Sequence, residues 1–381
     1  MKTIKIDEVA DIVSKGTTPT SIGLSFSIKG IPFLRGEDIL GTAVNFSTVK
    51  MFIDENAHQI LNRSALQFGD VLVTIAGTIG RIGHIDSKNV TANCNQAVAF
   101  VRMPQDRVDP IWLCLLLSSP KYQELFAQFV VGGAIPNVNL QQIKSIEIPD
   151  IKIEAQLRIA ARLKAQLAEV EKARKAAAVQ LSETTKLADS IVMDSIKRTK
   201  TEKNRLGDVL REVKAGIGEN WLEYPVWGAT REGLAPAKEP PGKNPQRYKP
   251  VSPGTVFYNP MRILIGSIAF VDDDDAPGIT SPDYVALKGK ANAVDSRWFY
   301  YWLRSPLGEQ CINSLARGAV RERMLFNRLA EGQIELPEYD IQQTASRALA
   351  KLKPMRRAFE QKLNGINLMP TKILTQTFEM N

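Results

Sequence analysis

The residues able to do chemistry are few and poorly spaced for it. "AGTIGRIG" (Ala76–Gly83) has the glycine density of a phosphate-cradling loop. Such a loop must open a helix whose first N–H groups face the anion. Here "HID" and a polar turn follow, so the stretch reads as a tight β-turn. The two histidines, His58 and His84, stand in unrelated contexts, which argues against a histidine metal site or a catalytic triad. The run Asp272–Asp275 could hold a cation but reads better as a solvated turn between strands. Asp86 and Lys88 have the Asp-x-Lys spacing of a metal-dependent nuclease, without a convincing acidic partner upstream. Cys94, Cys114 and Cys311 show no metal-ligand spacing and read as small core residues of a protein kept in a reducing cytoplasm. No catalytic constellation emerges, no metal site is expected, and the chain reads as a binding protein.

What would position binding residues is written twice. "VDPIWLCLLLSSP" (Val108–Pro120) returns as "VDSRWFYYWLRSP" (Val294–Pro306). "FGDVLVTIAGTIGRIGHID" (Phe68–Asp86) parallels "PGTVFYNPMRILIGSIAFVD" (Pro253–Asp272) with one inserted residue. Both read as polar turn, strand, glycine-containing turn and strand. "ANCNQAVAF" answers "TSPDYVAL", "GGAI" (Gly132–Ile135) answers "RGAV" (Arg317–Val320), and "IEIPDIKIEAQ" (Ile146–Gln156) answers "IELPEYDIQQ" (Ile334–Gln343). Five blocks in register make the chain two copies of one unit of roughly 190 residues. "YNPM" (Tyr258–Met261) shares only its Asn-Pro with the Asn-Pro-Pro-aromatic motif of amino-methyltransferases, and its counterpart "VTIA" (Val73–Ala76) is plain strand. The motif is discounted. Trp112 and Trp298, at matching positions, are expected in the core rather than as stacking platforms. Trp227, in a loop-like segment, is left open.

Each copy ends in a helix. No proline occurs between Pro149 and Pro225, and no glycine between Gly133 and Gly207. Leu163, Leu167, Val170, Ala177, Leu181, Ala188 and Ile191 fall on the a and d positions of one heptad frame. A helix from Ile153 to Lys197 would be roughly 65 Å long at about 1.5 Å per residue. In the second copy Ile341, Ala345, Ala348, Leu352, Met355, Phe359 and Ile366 again step by fours and threes. There Pro354 should kink the helix, and Gly365 and Pro370 should weaken or end it. An apolar seam needs a partner, and each helix can serve the other in antiparallel pairing. That would place the two globular parts at opposite ends, related by an approximate two-fold axis. The fold class is α+β: two similar α/β domains separated by two long antiparallel helices forming a coiled coil. The expected divisions are 1–150, 151–203, 204–338 and 339–381.

Composition agrees with this. The chain has 381 residues, 44% apolar and 24% charged, room for two or three domains, and no run approaches the eighteen or so apolar residues of a membrane span. The start, "MKTIKIDEVADIV", lacks the apolar run of a signal peptide. Net charge is +8, which permits an anionic partner. Residues 1–152 are neutral and 204–340 sum to −1, while 153–203 carry +4 and 341–381 carry +5. The positive excess belongs to the helices.

Several of these stretches resemble one family. "GGAIPNVNLQQIKSIEIPDIKIEAQLRIAARL" (Gly132–Leu163) is similar to the junction of specificity subunits of type I restriction-modification systems. "IPFLRGEDI" (Ile31–Ile39) and "GDVLVTIAGTIGRIG" (Gly69–Gly83) resemble their first target-recognition domain. "WGATREGLAPAKE" (Trp227–Glu239) and "YNPMRILIGSIA" (Tyr258–Ala269) resemble a common second one. The second junction, "GAVRERML" (Gly318–Leu325), departs by lacking the Pro-Asn pair.

The resemblance implies a non-catalytic subunit of a system that defends against foreign DNA. It would read a split site in double-stranded DNA, one domain per half. It would dock two modification subunits, which methylate adenine with S-adenosylmethionine, and restriction subunits driven by ATP. No cofactor would be bound by this chain, S-adenosylmethionine, ATP and Mg being expected on the partner subunits. A fixed helical spacer explains a split site, as symmetry sets half-site spacing elsewhere. The basic helices would face the unread spacer or an acidic partner, while base edges are read from loops. The candidate readers are Thr17, Thr18, Arg35, Thr78 and Arg81 in the first domain. In the second they are Arg231, Lys243, Arg247, Lys249 and Arg262, with Arg317, Arg321 and Arg323 near the junction. Two alternatives stay open: a coiled-coil scaffold whose heads bind protein, and a nuclease using Asp86 and Lys88.

Overall fold

The structure, a computed structural model, describes residues 2–130, 137–316 and 323–379. Contacts divide the chain into two units, Met1–Lys175 with Asn364–Asn381, and Ala176–Leu363.

In the first unit four short strands form an antiparallel sheet in the order Ile12–Lys15, Val98–Arg102, Val71–Thr74, Ile82–His84. "VLVT" and most of "VAFVR" are buried, as β-branched and aromatic residues are when a strand is covered on both faces. One face meets the helices Pro110–Leu117 and Pro120–Phe129 in a core around Trp112, Leu113 and Phe126. The other face meets a smaller layer formed by Ile31–Leu34, Phe52–Ile53, Ala65–Leu66 and Ala92–Cys94. Burial pushes the Cys114 thiol up to about 12, and Cys94 and Cys114 are buried free thiols.

The second unit repeats the main sheet strand for strand. Its order is Leu210–Glu212, Val285–Gly289, Val256–Tyr258, Ile268–Phe270, again antiparallel. Each unit also closes its own start on its own end through a two-stranded pair. Thr3–Lys5 pairs with Glu147–Pro149 in one, and Glu202–Arg205 with Gln333–Leu336 in the other.

The twice-written tryptophan phrase has the same job in both. Asp109 caps its helix by accepting from the Trp112 N–H at 2.7 Å, and Asp295 from the Trp298 N–H at 2.9 Å. Pro120 and Pro306 then start the next helix, where a proline lacks no needed N–H. Trp112 and Trp298 are 1% and 0% exposed, so both are core. Trp227 is also pinned, its Nε1 donating to the Ala276 carbonyl at 3.1 Å.

A buried glutamine ties each tryptophan helix to a long helix. Gln156 Oε1 accepts from the Asp109 N–H at 2.9 Å, and its Nε2 donates to the carbonyls of Arg107 and Ile151. Gln342 does the same for Asp295, Ala293 and Pro337. The matching residue in the second copy is therefore Gln342, not Gln343 at the end of the aligned stretch.

The helix Ile153–Lys197 is continuous and contributes to both units. In the first, Leu163 packs with Leu115 and Leu374, with Ile159, Leu167, Ile373 and Phe378 against them. In the second, Ala188 and Val192 share a core with Ala345, Leu349 and Leu352. The start of this helix thus meets the end of Leu352–Phe378, and its end meets the earlier part of the second helical segment: antiparallel, as expected. The seam holds two polar residues that the heptad reading passed over, Thr184 and Ser195. Their hydroxyls donate to the carbonyls of Leu181 and Val192, and Ser195 Oγ also accepts from Trp298 Nε1.

The interruption expected near Pro354 is present: the second segment breaks after Ala350 and resumes at Leu352, with Pro354 in the first turn of the helix Leu352–Phe378, where its missing N–H is harmless. Two expectations change. Neither Gly365 nor Pro370 ends that helix, which continues to Phe378. Met355 is 45% exposed and off the seam.

Candidate nucleic-acid interface

At one end of the first unit's main sheet four loops are bonded into a single cluster. Gly16, just beyond Ile12–Lys15, lies so close to the Cys94–Asn95 backbone that a Cβ would sit 1.9 Å from the Cys94 carbonyl oxygen. Thr18 Oγ1 donates to Gln96 Oε1. The Asn95 N–H donates to the Leu34 carbonyl, and the Ile75 N–H to that of Ala97. Arg81 Nη1 donates to the Gly36 carbonyl at 3.1 Å. Val138 N–H then joins the cluster through the Ile75 carbonyl at 2.9 Å. All five sequence-predicted residues of this unit, Thr17, Thr18, Arg35, Thr78 and Arg81, border this one surface.

The glycine-rich stretch is the tight turn it was read as. Thr74 Oγ1 donates to the Thr78 carbonyl at 2.5 Å and accepts from the Arg81 N–H at 2.9 Å. Gly80 takes φ +85°, and Gln123 Nε2 donates to its carbonyl. The strand Ile82–His84 follows, so there is no helix N-terminus to hold a phosphate. Its two arginines are partly committed: Arg81 braces the Gly36 loop, and Arg35 pairs with Glu37. What the loops offer outward is chiefly amide and hydroxyl, including Asn95, Gln96 and Asn137, which the sequence reading missed. The polar pair just before the strand "AVAF" was the available signal.

The second unit builds the equivalent cluster with different chemistry. The Met324 N–H donates to the Pro260 carbonyl at 3.0 Å, as Val138 does to Ile75. Asn259 Oδ1 accepts from the Met261 N–H and its Nδ2 donates to the Tyr284 hydroxyl, so "YNPM" is a turn. Lys249 Nζ donates to the Tyr284 carbonyl at 2.6 Å. Burial lowers the Lys249 ammonium below the usual lysine value, opposed by Glu212 and Asp283. Arg323 Nη2 donates to Asp283 Oδ1 at 3.4 Å. Gly216 abuts the backbone of Gln246 and Arg247, which brings Arg247 and the Lys243 loop to the same end. The guanidinium of Arg262, exposed in this loop, makes no hydrogen bond or ion pair among the described residues. Lys214, missed from sequence, also belongs here, 3.7 Å from Glu212.

Arg231 does not join them. It lies at the turn of the hairpin Trp227–Thr230/Gly233–Pro236, its carbonyl accepts from Arg304, and it lines a cleft of about 480 Å³ with Thr185 and Glu309. Arg317 and Arg321, with the "GGAI" and "RGAV" blocks, lie outside the described residues.

The catalytic candidates find structural employment. His58 Nδ1 meets Asn93 Oδ1 at 2.5 Å, and His84 Nδ1 meets the Thr42 carbonyl. The Lys88 ammonium lies 5.4 Å from the centre of the Phe68 ring. Asp272–Asp275 is a turn, but exposed only at Asp273 and Asp274; Asp272 is buried, Asp275 is part-buried, and all four are ion-paired. Arg297 pairs with Asp272 and Asp273, while Lys353 and Arg357 pair with Asp274 and Asp275. Among the described residues no group of three or more His, Cys, Asp or Glu could hold a metal ion.

Fold and site together define a duplicated α+β protein in which each unit carries one cluster of loops at a sheet end. Residues 1–180 match the family model of the type I restriction modification DNA specificity domain. The specificity subunit of the type I restriction enzyme EcoBI from Escherichia coli is 31% identical over 163 residues. That match covers 43% of this chain and 34% of the relative, about a third of the relative's length. A structure of a type I restriction-modification assembly aligns with 99% of this chain and 97% of its own at TM-score 0.68 and 17% identity. The S subunit from M. genitalium aligns with 98% of this chain and 94% of its own at TM-score 0.51 and 15% identity. The HsdS subunit from Thermoanaerobacter tengcongensis aligns with 99% and 96% at 0.50 and 16%. The chain therefore has the specificity-subunit fold from end to end. No helix among the described residues is long and apolar enough to cross a membrane.

Proposed function

We propose that this chain is the DNA-recognition subunit of a type I restriction-modification complex. Each unit reads one half of a two-part site in duplex DNA. The chain does no chemistry itself; modification subunits methylate adenine with S-adenosylmethionine, and ATP-driven restriction subunits complete the assembly. The observation that carries this reading is the pair of equivalent loop clusters, each at the same end of the same four-stranded order. Base edges are read by side chains presented on a rigid frame, and that is what each cluster supplies. The specificity-domain match over residues 1–180 supports it.

The test is to express the chain with its modification subunit and map methylated adenines in the host DNA. The expected result is a motif of two short defined segments separated by a fixed unread spacer. Methylation without such a motif, or none above the level seen when this chain is omitted, would overturn the proposal.

A further inference from the structure

The two loop clusters share a frame but not a chemistry, and we propose that the two half-sites differ accordingly. The first unit reads an adenine through Gln96, held by Thr18; the second reads a guanine through Arg323, steadied by Asp283. The inference rests on the specificity-subunit reading and deepens it.

In the first cluster the cations are offset where they stand, Arg35 by Glu37 with Asp38 beside it, and Arg81 is used on the Gly36 carbonyl. Of the exposed amides of this cluster, Gln96 and Asn137, Gln96 is the one held by a side-chain hydrogen bond among the described residues. Thr18 Oγ1 donates to its Oε1, which fixes the amide plane and leaves the second Oε1 lone pair and both Nε2 hydrogens for a ligand. One acceptor beside one donor is the complement of adenine N6–H and N7 in the major groove. In the major groove no other single base offers that donor–acceptor pair.

The second cluster is cationic. Among the described residues Lys214 and Lys249 pair with Glu212 and Arg323 with Asp283, while the Arg247 and Arg262 side chains make no ion pair. A guanidinium gives two parallel donors, the complement of guanine O6 and N7. Arg323 is exposed, and Asp283 holds one Nη, so the fork is oriented rather than free. Its backbone is fixed by the Met324 bond to Pro260. Arg247 and Arg262, exposed and without an ion pair among the described residues, are left for phosphates.

The test uses the full complex in cells and the methylated-adenine map as readout, with Gln96→Ala, Gln96→Glu and Arg323→Ala. Both positions are exposed, so the fold should survive. Gln96→Ala should lower discrimination at one A·T position of one half-site by about 5- to 150-fold, with the other half intact. Gln96→Glu, which accepts but cannot donate, should shift that position toward cytosine. Arg323→Ala should relax one G·C position in the other half. Relaxation by both variants in the same half, an altered G·C position with Gln96→Ala, or a uniform loss of methylation with the motif unchanged would overturn the assignment. If the wild-type chain gives no two-part motif, the specificity-subunit reading itself fails. If it gives one that all three variants copy, only the present inference fails.

Discussion

Replacing Gln156 by leucine should uncouple the first unit from its long helix while leaving the second unit alone. The side chain is 2% exposed and makes three bonds of 2.9 Å: it accepts from the Asp109 N–H and donates to the Arg107 and Ile151 carbonyls. Leucine keeps the volume, so little cavity forms, but the buried Asp109 N–H and the part-buried Arg107 and Ile151 carbonyls lose their partner. At about 1 to 1.5 kcal/mol each, the loss is about 3 to 4.5 kcal/mol, a large fraction of a typical domain's stability. Gln342→Leu removes the same three bonds in the second unit. The assay is urea unfolding together with hydrogen exchange of peptides spanning each tryptophan helix. Gln156→Leu should deprotect Pro110–Leu117 and spare Ser296–Arg304, and Gln342→Leu the reverse. A stability change below about 1 kcal/mol, or equal loss of protection in both helices from either variant, would refute the reasoning.

Three further outcomes follow from the same structure. Arg158, Arg162 and Lys164 are exposed and carry no ion pair among the described residues; changing all three to Gln should lower the salt slope of DNA binding by about 2 to 3 without altering the methylated motif, and an altered motif would count against a sequence-blind role. Lys353 hydrogen-bonded to Asp274 holds that carboxyl below its usual value. Because the folded pKa is depressed, the stabilisation is complete above the unfolded value near pH 4 and fades as pH falls through the folded one. The Asp274→Asn chain should accordingly show a shallower loss of thermal stability below about pH 4 than wild type. Gly80→Val puts a β-branched residue at φ +85°, with its Cβ 3.0 Å from Gln123 Oε1; the strain of about 1 to 2 kcal/mol should lower the melting temperature of the first unit, and an unchanged melting curve would contradict the turn described.

The duplication was readable because it is carried by residues whose roles are local: Asp before Trp as a helix cap, Ser-Pro as the next helix start, valine-rich strands. The same locality made the first loop cluster legible, since Thr17, Thr18, Arg35, Thr78 and Arg81 each follow or precede a recognisable strand. Asn95 and Gln96 escaped because they sit in a short turn whose importance lies in its bonds to Leu34 and Thr18, far away in sequence. Arg231 falls outside the cluster for the converse reason: it is a basic residue in a hairpin turn, and that hairpin packs along Ile268–Phe270 and places it beside Thr185 and Arg304. The four-aspartate turn looked solvated because its partners Lys353 and Arg357 are some eighty residues away. Long-range ion pairs leave no spacing pattern.

What differs between the two copies is as informative as what is shared. The glutamine tie, the aspartate cap, the end-closing strand pair and the sheet order all recur, and each is a bond network inside the frame. The loop clusters recur only in position: Gln96, bonded to Thr18, and Asp283, bonded to Arg323, occupy matching turns before the strands Val98–Arg102 and Val285–Gly289 with different chemistry and different partners. Within each cluster the bonds that hold the loops run mainly through backbone groups, as from Val138 to Ile75 and from Met324 to Pro260. Side chains at these tips can therefore change without loosening the support beneath them. A frame that constrains itself through backbone and buried side chains leaves its tips chemically free, which the proposed reading of two unrelated half-sites requires. It follows that exchanging the tip residues of one unit should alter one half of the motif and leave the spacer, set elsewhere in the chain, at its original length.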